Sequence, residues 1–321
     1  MSTAPPTLEV LPRDLSPYRQ GNTGIDYVHR FDSGRPGPHV LINALTHGNE
    51  FCGMTAATHL LDHAVRPSIG TLTVSFANVA AYESFDAARP FESRQLVRNL
   101  NRIWSPAWLD GSEDSPELRR ARELLPVVTA AGHILDIHST SQAVQPFWVY
   151  PHFFRNGTAA LSIGRPAVHM VMPGGLGSGT PLIQHGPHGT AAGAGVALVA
   201  ECGQHFLRAT SALAVDVVLD FLAHFGLIDP PERAPAAAAP QLQRQRHPQR
   251  RFGLLRTHVT KTPEFRFTRP PVGFESFDEG ELIATDGTEE VRALCKACTV
   301  LMPARTAIVG REGLYLTQPI H

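Results

Sequence analysis

The sequence predicts an α/β protein with a doubly wound, largely parallel sheet and a small all-β domain at its C-terminal end. Three observations carry this reading. Short apolar, β-branched runs recur as far as Gly203. Helix-period patterns alternate with them, the order expected of parallel strands joined by crossover helices. Beyond Phe252 only short β-like pieces follow, punctuated by Gly and Pro.

The strand-like runs are HVLINALT (39–46), LTVSFANV (72–79), GHILDIHST (132–140), PFWVYPH (146–152) and GVALVAECG (195–203). EFCGMTAATHLLDHAV (50–65) reads as a helix, with Phe51, Met54, Ala57, Leu60 and Leu61 on one apolar stripe. SPELRRARELLPVVTAA (115–131) starts with Ser115 as N-cap and Pro116 at the first helical position. LRATSALAVDVVLDFLAHFG (207–226) closes on Gly226, a C-terminal stop. The stretch 229–251 is rich in Pro, Ala, Gln and Arg and has no apolar period, so it reads as a linker. The expected organisation is a catalytic domain over 1–228, the linker, and a β domain over 252–321.

Composition narrows the function classes. The 321 residues are 43% hydrophobic, and the net charge of −1 supplies no field for nucleic acid or an anionic membrane. No run is long enough for a membrane span, and the N-terminus lacks the basic and apolar regions of an export signal. Four cysteines, Cys52, Cys202, Cys295 and Cys298, are too few for a disulfide framework and fit a reducing cytoplasm. Cys295-x-x-Cys298 has no second pair at zinc-finger spacing and reads as two buried structural thiols.

Chemistry concentrates at strand ends. In THGNE (46–50), His47 and Glu50 sit where an apolar run gives way to a helix, the place where open α/β sheets hold ligands. Their spacing puts both on one side of a first helical turn. Imidazole and carboxylate together suit zinc, and a catalytic zinc needs a third protein ligand. His138 in ILDIHSTS is the candidate, with Asp136 on the same strand face to orient its ring. The chain has 16 histidines, and His59, His63, His152, His169, His185, His188 and His205 read as ordinary surface or core residues. Glu201 closes another apolar run. A buried carboxylate there needs a partner or a task, and moving a proton to and from a zinc-site water is one; alone, it could equally be an ion-paired or capping residue. FESRQLVRNLNRIW (91–104) packs Arg94, Arg98, Asn101 and Arg102 among apolar residues. Arginine forks suit carboxylates, but a solvated helix face competes as a reading. Asn101 and Arg102 diverge on a regular helix and meet one ligand only in irregular backbone.

THGNE, LNRIW (100–104), DIHSTS (136–141) and AECGQ (200–204) come in the order found in the succinylglutamate desuccinylase/aspartoacylase family of the zinc carboxypeptidase superfamily, which the chain resembles. The resemblance implies a mixed, zinc carboxypeptidase-like sheet, with GREGLYL (310–316) in the family's second domain. It implies one zinc ion per chain on His47, Glu50 and His138, with Glu201 as general base and acid. It implies Arg94 at the oxyanion, Asn101 and Arg102 on a substrate carboxylate, and Tyr315 reaching the site from the C-terminal domain. One departure stands out. Aspartoacylase carries an arginine about ten residues before the catalytic glutamate, whereas here no Lys or Arg occurs between Arg165 and Arg208. The expected enzyme is therefore a cytoplasmic zinc amidohydrolase acting on an N-acyl amino acid and not specific for N-acetylaspartate. A carboxypeptidase-type peptidase and a non-catalytic binding protein on the same fold are the alternatives, and the sequence leaves a homo-oligomer open.

Overall fold

The structure is a computed structural model describing residues 7–230, 248–269 and 272–320. Strands β1 (Val28–Asp32) and β2 (His39–Ala44) lead into helix α1 (Phe51–Asp62) and β3 (Thr71–Phe76). Helices α2 (Val79–Glu83), α3 (Pro106–Leu109) and α4 (Pro116–Ala130) follow. Next come β4 (His133–Thr140), β5 (Phe147–Pro151), α5 (Phe154–Ile163), β6 (Val168–Met172), β7 (Ala197–Gln204) and α6 (Arg208–His224). The C-terminal part holds β8 (Arg250–Val259), β9 (Arg266–Phe267), β10 (Glu275–Phe277), β11 (Leu282–Asp286), β12 (Glu289–Arg292), β13 (Cys298–Leu301) and β14 (Glu312–Ile320).

Eleven strands form one sheet in the order β1-β3-β2-β4-β7-β5-β6-β8-β14-β13-β10. The centre, β3-β2-β4-β7, is parallel, while β1 runs against β3 and β5 against β7. Each face buries its own apolar cluster. Phe51, Met54, Ala57 and Leu60 of α1 meet Val217 and Phe221 of α6 on one side. Leu118, Ala121, Leu124 and Val128 of α4 cover the other. These stripes follow from side chains three and four apart lining one helix face. The caps match the sequence: the Ser115 hydroxyl accepts from the Leu118 N–H, Pro116 opens α4, and Gly226 takes φ +72° just after α6.

The C-terminal part is all β, but it is less separate than the sequence suggests. Strand β8 pairs in parallel with β6, from Val168↔Arg250 to Val171↔Gly253, so β8, β14, β13 and β10 continue the central sheet. Among the described residues, only β12, β11 and β9 form a second sheet. The physical reason is the open edge of β6, whose backbone groups need partners. Arg250 and Arg251, expected in the linker, belong to β8; residues 231–247 of that linker lie outside the described residues.

The small sheet is joined to the large one through a buried carboxylate. Asp286 on β11 accepts from the Lys261 and Thr262 N–H groups at 2.7 and 2.8 Å, from the Thr262 hydroxyl at 2.8 Å, and lies 2.8 Å from His258 Nε2 on β8. Burial alone would raise its pKa, but these donors outweigh it and hold the carboxyl at about 2. A depressed carboxyl stabilises the fold above its unfolded pKa, near 4, and that contribution fades as pH falls toward 2. The shift corresponds to about 2 kcal/mol. Asp286→Asn should therefore unfold more easily than wild type by about that amount near neutrality, with the gap narrowing below about pH 4. Denaturant titrations at several pH values check this; a gap that does not depend on pH would refute the assignment.

Candidate active site

The site lies where β2, β4 and β7 end. In register, Asn43 of β2 faces Asp136 of β4, and His138 of β4 faces Glu201 of β7. The chain leaves β2 through Leu45, at φ +58°, and turns through THGNE into α1. Gly48 is required there: a Cβ would come within 2.4 Å of the Ala81 carbonyl carbon and the Ser93 carbonyl oxygen. The Gly48 N–H donates to the Arg94 carbonyl at 3.1 Å, fastening the turn to the segment that carries the arginines.

Glu50 is the N-cap of α1, yet its carboxylate does not cap the helix. It is drawn instead between two imidazoles. Oε1 lies 2.8 Å from His47 Nδ1 and Oε2 lies 2.8 Å from His138 Nδ1. One candidate ligand atom from each of the three residues fits within 4.8 Å of the others, and all three side chains are buried. The opposite ring nitrogens are held too. His47 Nε2 is 2.9 Å from Asn99 Oδ1, and His138 Nε2 is 2.7 Å from Asp136 Oδ2. Asp136 in turn accepts from Asn43 Nδ2 and the Thr46 hydroxyl. Such partners fix the ring orientations, leaving one nitrogen of each imidazole toward Glu50.

Electrostatics suit a cation. Burial, helped by the Arg94 charge, pushes His47 down to about 4, so its ring is neutral. Burial also opposes charge on His138, but Asp136 and Glu50 outweigh it and raise its pKa well above the usual value. Glu50 is held well below the carboxylate range, because the two histidines overcome its burial. The His138 proton stands between carboxylates, where a metal ion would displace it. Glu201 adds a second sign. Its Oε2 is buried with no hydrogen-bond partner, and burial pushes its carboxyl up to about 8, with Glu50 and Asp136 also raising it against His138 and Arg94. A cation beside it favours the ionised form. A buried, orphaned carboxylate oxygen opposite two imidazoles and a carboxylate is what a metal and its water would satisfy, so the residues fit such a group.

The arginine segment is irregular, as its sequence requires. Buried Glu117 on α4 accepts from the backbone N–H groups of Leu96, Val97 and Arg98, and Leu100–Arg102 form a single 3-10 turn. Arg94 reaches in to place Nη1 3.2 Å from Glu50 Oε1. The Asn101 side-chain carbonyl accepts from the Leu182 N–H, and its amide nitrogen stands 3.5 Å from His138 Nε2. Arg98 points elsewhere, over the Trp108 ring and to Glu113. Arg102, expected to bind a substrate carboxylate, donates from Nε to Glu312 Oε1 at 2.7 Å and to the Ser178 hydroxyl at 3.1 Å. Its Nη2 donates to Tyr315 Oη, on β14, at 3.3 Å. Burial pushes the Tyr315 phenol up, keeping it protonated.

The expected residues His47, Glu50, Arg94, Asn101, Arg102, His138, Glu201 and Tyr315 all line one cavity of about 260 Å³. Asp136 stands behind it. Asn99, Glu312 and Ser178 were not singled out by sequence reasoning, although Asn99 and Glu312 fall inside the quoted segments 91–104 and 310–316. His205, read as ordinary, lines the cavity and binds the Ser139 hydroxyl; burial lowers it to about 4. Cys298 is buried and Cys295 half-buried, and neither belongs to a metal-type cluster among the described residues. No described helix is long and apolar enough to cross a membrane.

The Gly48 contacts give a direct test. Gly48→Ala should destabilise the protein by roughly 1–3 kcal/mol, because the methyl meets backbone that cannot yield without moving the turn. Denaturant unfolding measures this, and a change under about 0.5 kcal/mol would show that the turn is slack.

A sequence model described as the succinylglutamate desuccinylase/aspartoacylase catalytic domain matches residues 36–157, which hold every site residue named above up to His138. No curated protein matches the chain. Among solved structures, succinylglutamate desuccinylase from Vibrio cholerae is similar with TM-score 0.69 and 16% identity, covering 92% of this chain and 86% of that one. The enzyme from Vibrio parahaemolyticus gives 0.64 and 16%, over 89% and 82%. A succinylglutamate desuccinylase/aspartoacylase from Rhodobacter sphaeroides gives 0.60 and 18%, over 89% and 87%. At these identities the structural likeness speaks for the fold, and with the sequence match over residues 36–157 it places this chain's resemblance in the succinylglutamate desuccinylase/aspartoacylase family.

Proposed function

We propose that the chain is a zinc-dependent hydrolase cleaving the amide bond of an N-acyl amino acid or similar small amide. The observation that carries this is the unpartnered Glu201 carboxylate oxygen beside the buried His47–Glu50–His138 cluster. His47, Glu50 and His138 would hold one zinc ion, which when bound polarises the acyl carbonyl and makes water a better nucleophile. Glu201 takes a proton from the attacking water and returns it to the leaving amine. Arg94, anchored on Glu50, presents its remaining donors to the carbonyl oxygen as negative charge develops there. Tyr315 and Asn101 bound the pocket in which the amide is oriented. In this reading residues 1–228 are the catalytic unit, and the β module from 252 onward closes one wall.

Three outcomes follow. Purified protein should retain about one zinc per chain, and His47→Ala or His138→Ala should lose most of it; elemental analysis showing full retention in both would refute the ligand set. Glu201→Gln should keep fold and zinc while activity falls roughly 10²–10⁴-fold; an active variant would rule out the proton role. The loop 166–207 offers no cation for a second substrate carboxylate, so N-acyl derivatives of neutral amino acids should be cleaved better than N-acetylaspartate, by roughly ten- to a hundredfold in kcat/KM. A preference for the aspartate compound would instead mean that a cation outside that loop, such as Arg305, which lines the cavity from the C-terminal part, holds the second carboxylate.

A further inference from the structure

Arg102 is already neutralised. Glu312 and Arg102 are mostly buried, at 16% and 13% side-chain exposure. Burial would raise Glu312, but the Arg102 charge and the hydrogen bonds it receives lower it to about 2, so the pair stays ionised at any working pH. Arg102 Nη1 is bound to the Asn101 carbonyl at 2.7 Å, and Ser178 donates to Glu312 Oε1 at 2.8 Å. A substrate carboxylate arriving at Arg102 must compete with a buried ion pair, and separating such a pair strands Glu312.

The remaining positive charge of the cavity lies elsewhere. Arg94 is tied to Glu50, and Arg305 lies over the Phe91 ring. Arg311 differs. It stands between β13 and β14, next to Glu312, and lines both the main cavity and an adjoining one of about 300 Å³. Among the described residues, its guanidinium has neither an ion pair nor a hydrogen bond, since Glu312 is turned to Arg102. Burial first, then the charge of Arg94, works against its cationic form. Two guanidinium groups facing one cavity are relieved by an anion between them.

Resting on the deacylase reading, we propose that Arg311, not Arg102, is the specificity-determining residue that binds the carboxylate of an N-acyl amino acid substrate. The Arg102–Glu312 pair is then the neutral wall beside which that carboxylate sits, at the junction of the two cavities.

The test compares N-acetylalanine with N-acetylalaninamide on the full, zinc-loaded chain. Arg311→Ala should raise KM for the acid roughly 10–100-fold, the effect of one lost charge-assisted partner, with kcat falling far less. The preference for acid over amide should collapse by the same factor, and Arg311→Lys should restore part of it. Calorimetric binding of N-acetylalanine to Glu201→Gln protein provides a readout that does not depend on turnover, and adding Arg311→Ala should weaken it equally. If the wild type hydrolyses nothing yet binding depends on Arg311, the deacylase reading fails and this assignment stands. Binding that ignores Arg311, no binding at all, or Glu312→Gln tightening the acid while Arg311→Ala changes nothing would each overturn it.

Discussion

The site depends on one constraint: the register of three parallel strands, β2, β4 and β7, at their carboxyl ends. Their register sets Asn43 beside Asp136 and His138 beside Glu201. Everything reactive hangs from those ends. Asp136 orients His138 within its own strand, the THGNE turn brings His47 and Glu50 over β4, and Glu201 arrives one strand further on. A parallel sheet buried on both faces holds such spacings rigidly, because each strand is fixed by hydrogen bonds on two sides and packing on the other two. A one-residue slip of β4 would turn His138 and Asp136 to the opposite face together.

Polar groups around this frame then do what apolar packing cannot. Glu50 is placed by two histidines, each histidine by an oxygen behind it, and Asp136 by Asn43 and Thr46. Buried networks of this kind are stable only when every member is satisfied. Among the described residues, two buried oxygens that line the cavity lack a partner, Glu201 Oε2 and Asn49 Oδ1, and the carboxylate oxygen, the costlier to leave alone, marks the place for something the chain does not itself supply. Glu117 plays the matching role at a distance: by collecting three backbone N–H groups it forbids a helix over 96–98 and lets Asn101 and Arg102 face one cavity.

Much of this was legible in the sequence because it lies in local pattern. Apolar runs ending in His, Glu or Asp located β2, β4 and β7 to within a residue or two, and Ser115–Pro116 and Gly226 fixed helix ends by cap chemistry. What local pattern could not give was pairing. Helix α5 contains Asn156-Gly157, which reads as a turn, and β6 is a five-residue strand whose second residue, His169, is held by Tyr150 and Gln249. The docking of β8 on β6 joins residues some 80 positions apart. Likewise, nothing near Arg102 announces that Glu312, across 210 residues, neutralises it.

That last contact shows how the two parts of the chain make one site. Strand β14 pairs with β8, and β8 with β6, so the sheet itself carries Glu312 and Tyr315 to the arginine segment. A buried ion pair such as Arg102–Glu312 contributes little net stability, because desolvation offsets attraction, but each partner is costly to leave alone. Its effect is therefore one of placement: β14 can dock here in one register, and with it comes Arg311, one residue before Glu312. The cations that the C-terminal part adds to the cavity, Arg305 and Arg311, are thus brought by sheet continuity, whereas the strand ends set its acidic face. On the proposed deacylase reading, substrate preference would be set at the start of β14 and the chemistry at the ends of β2, β4 and β7.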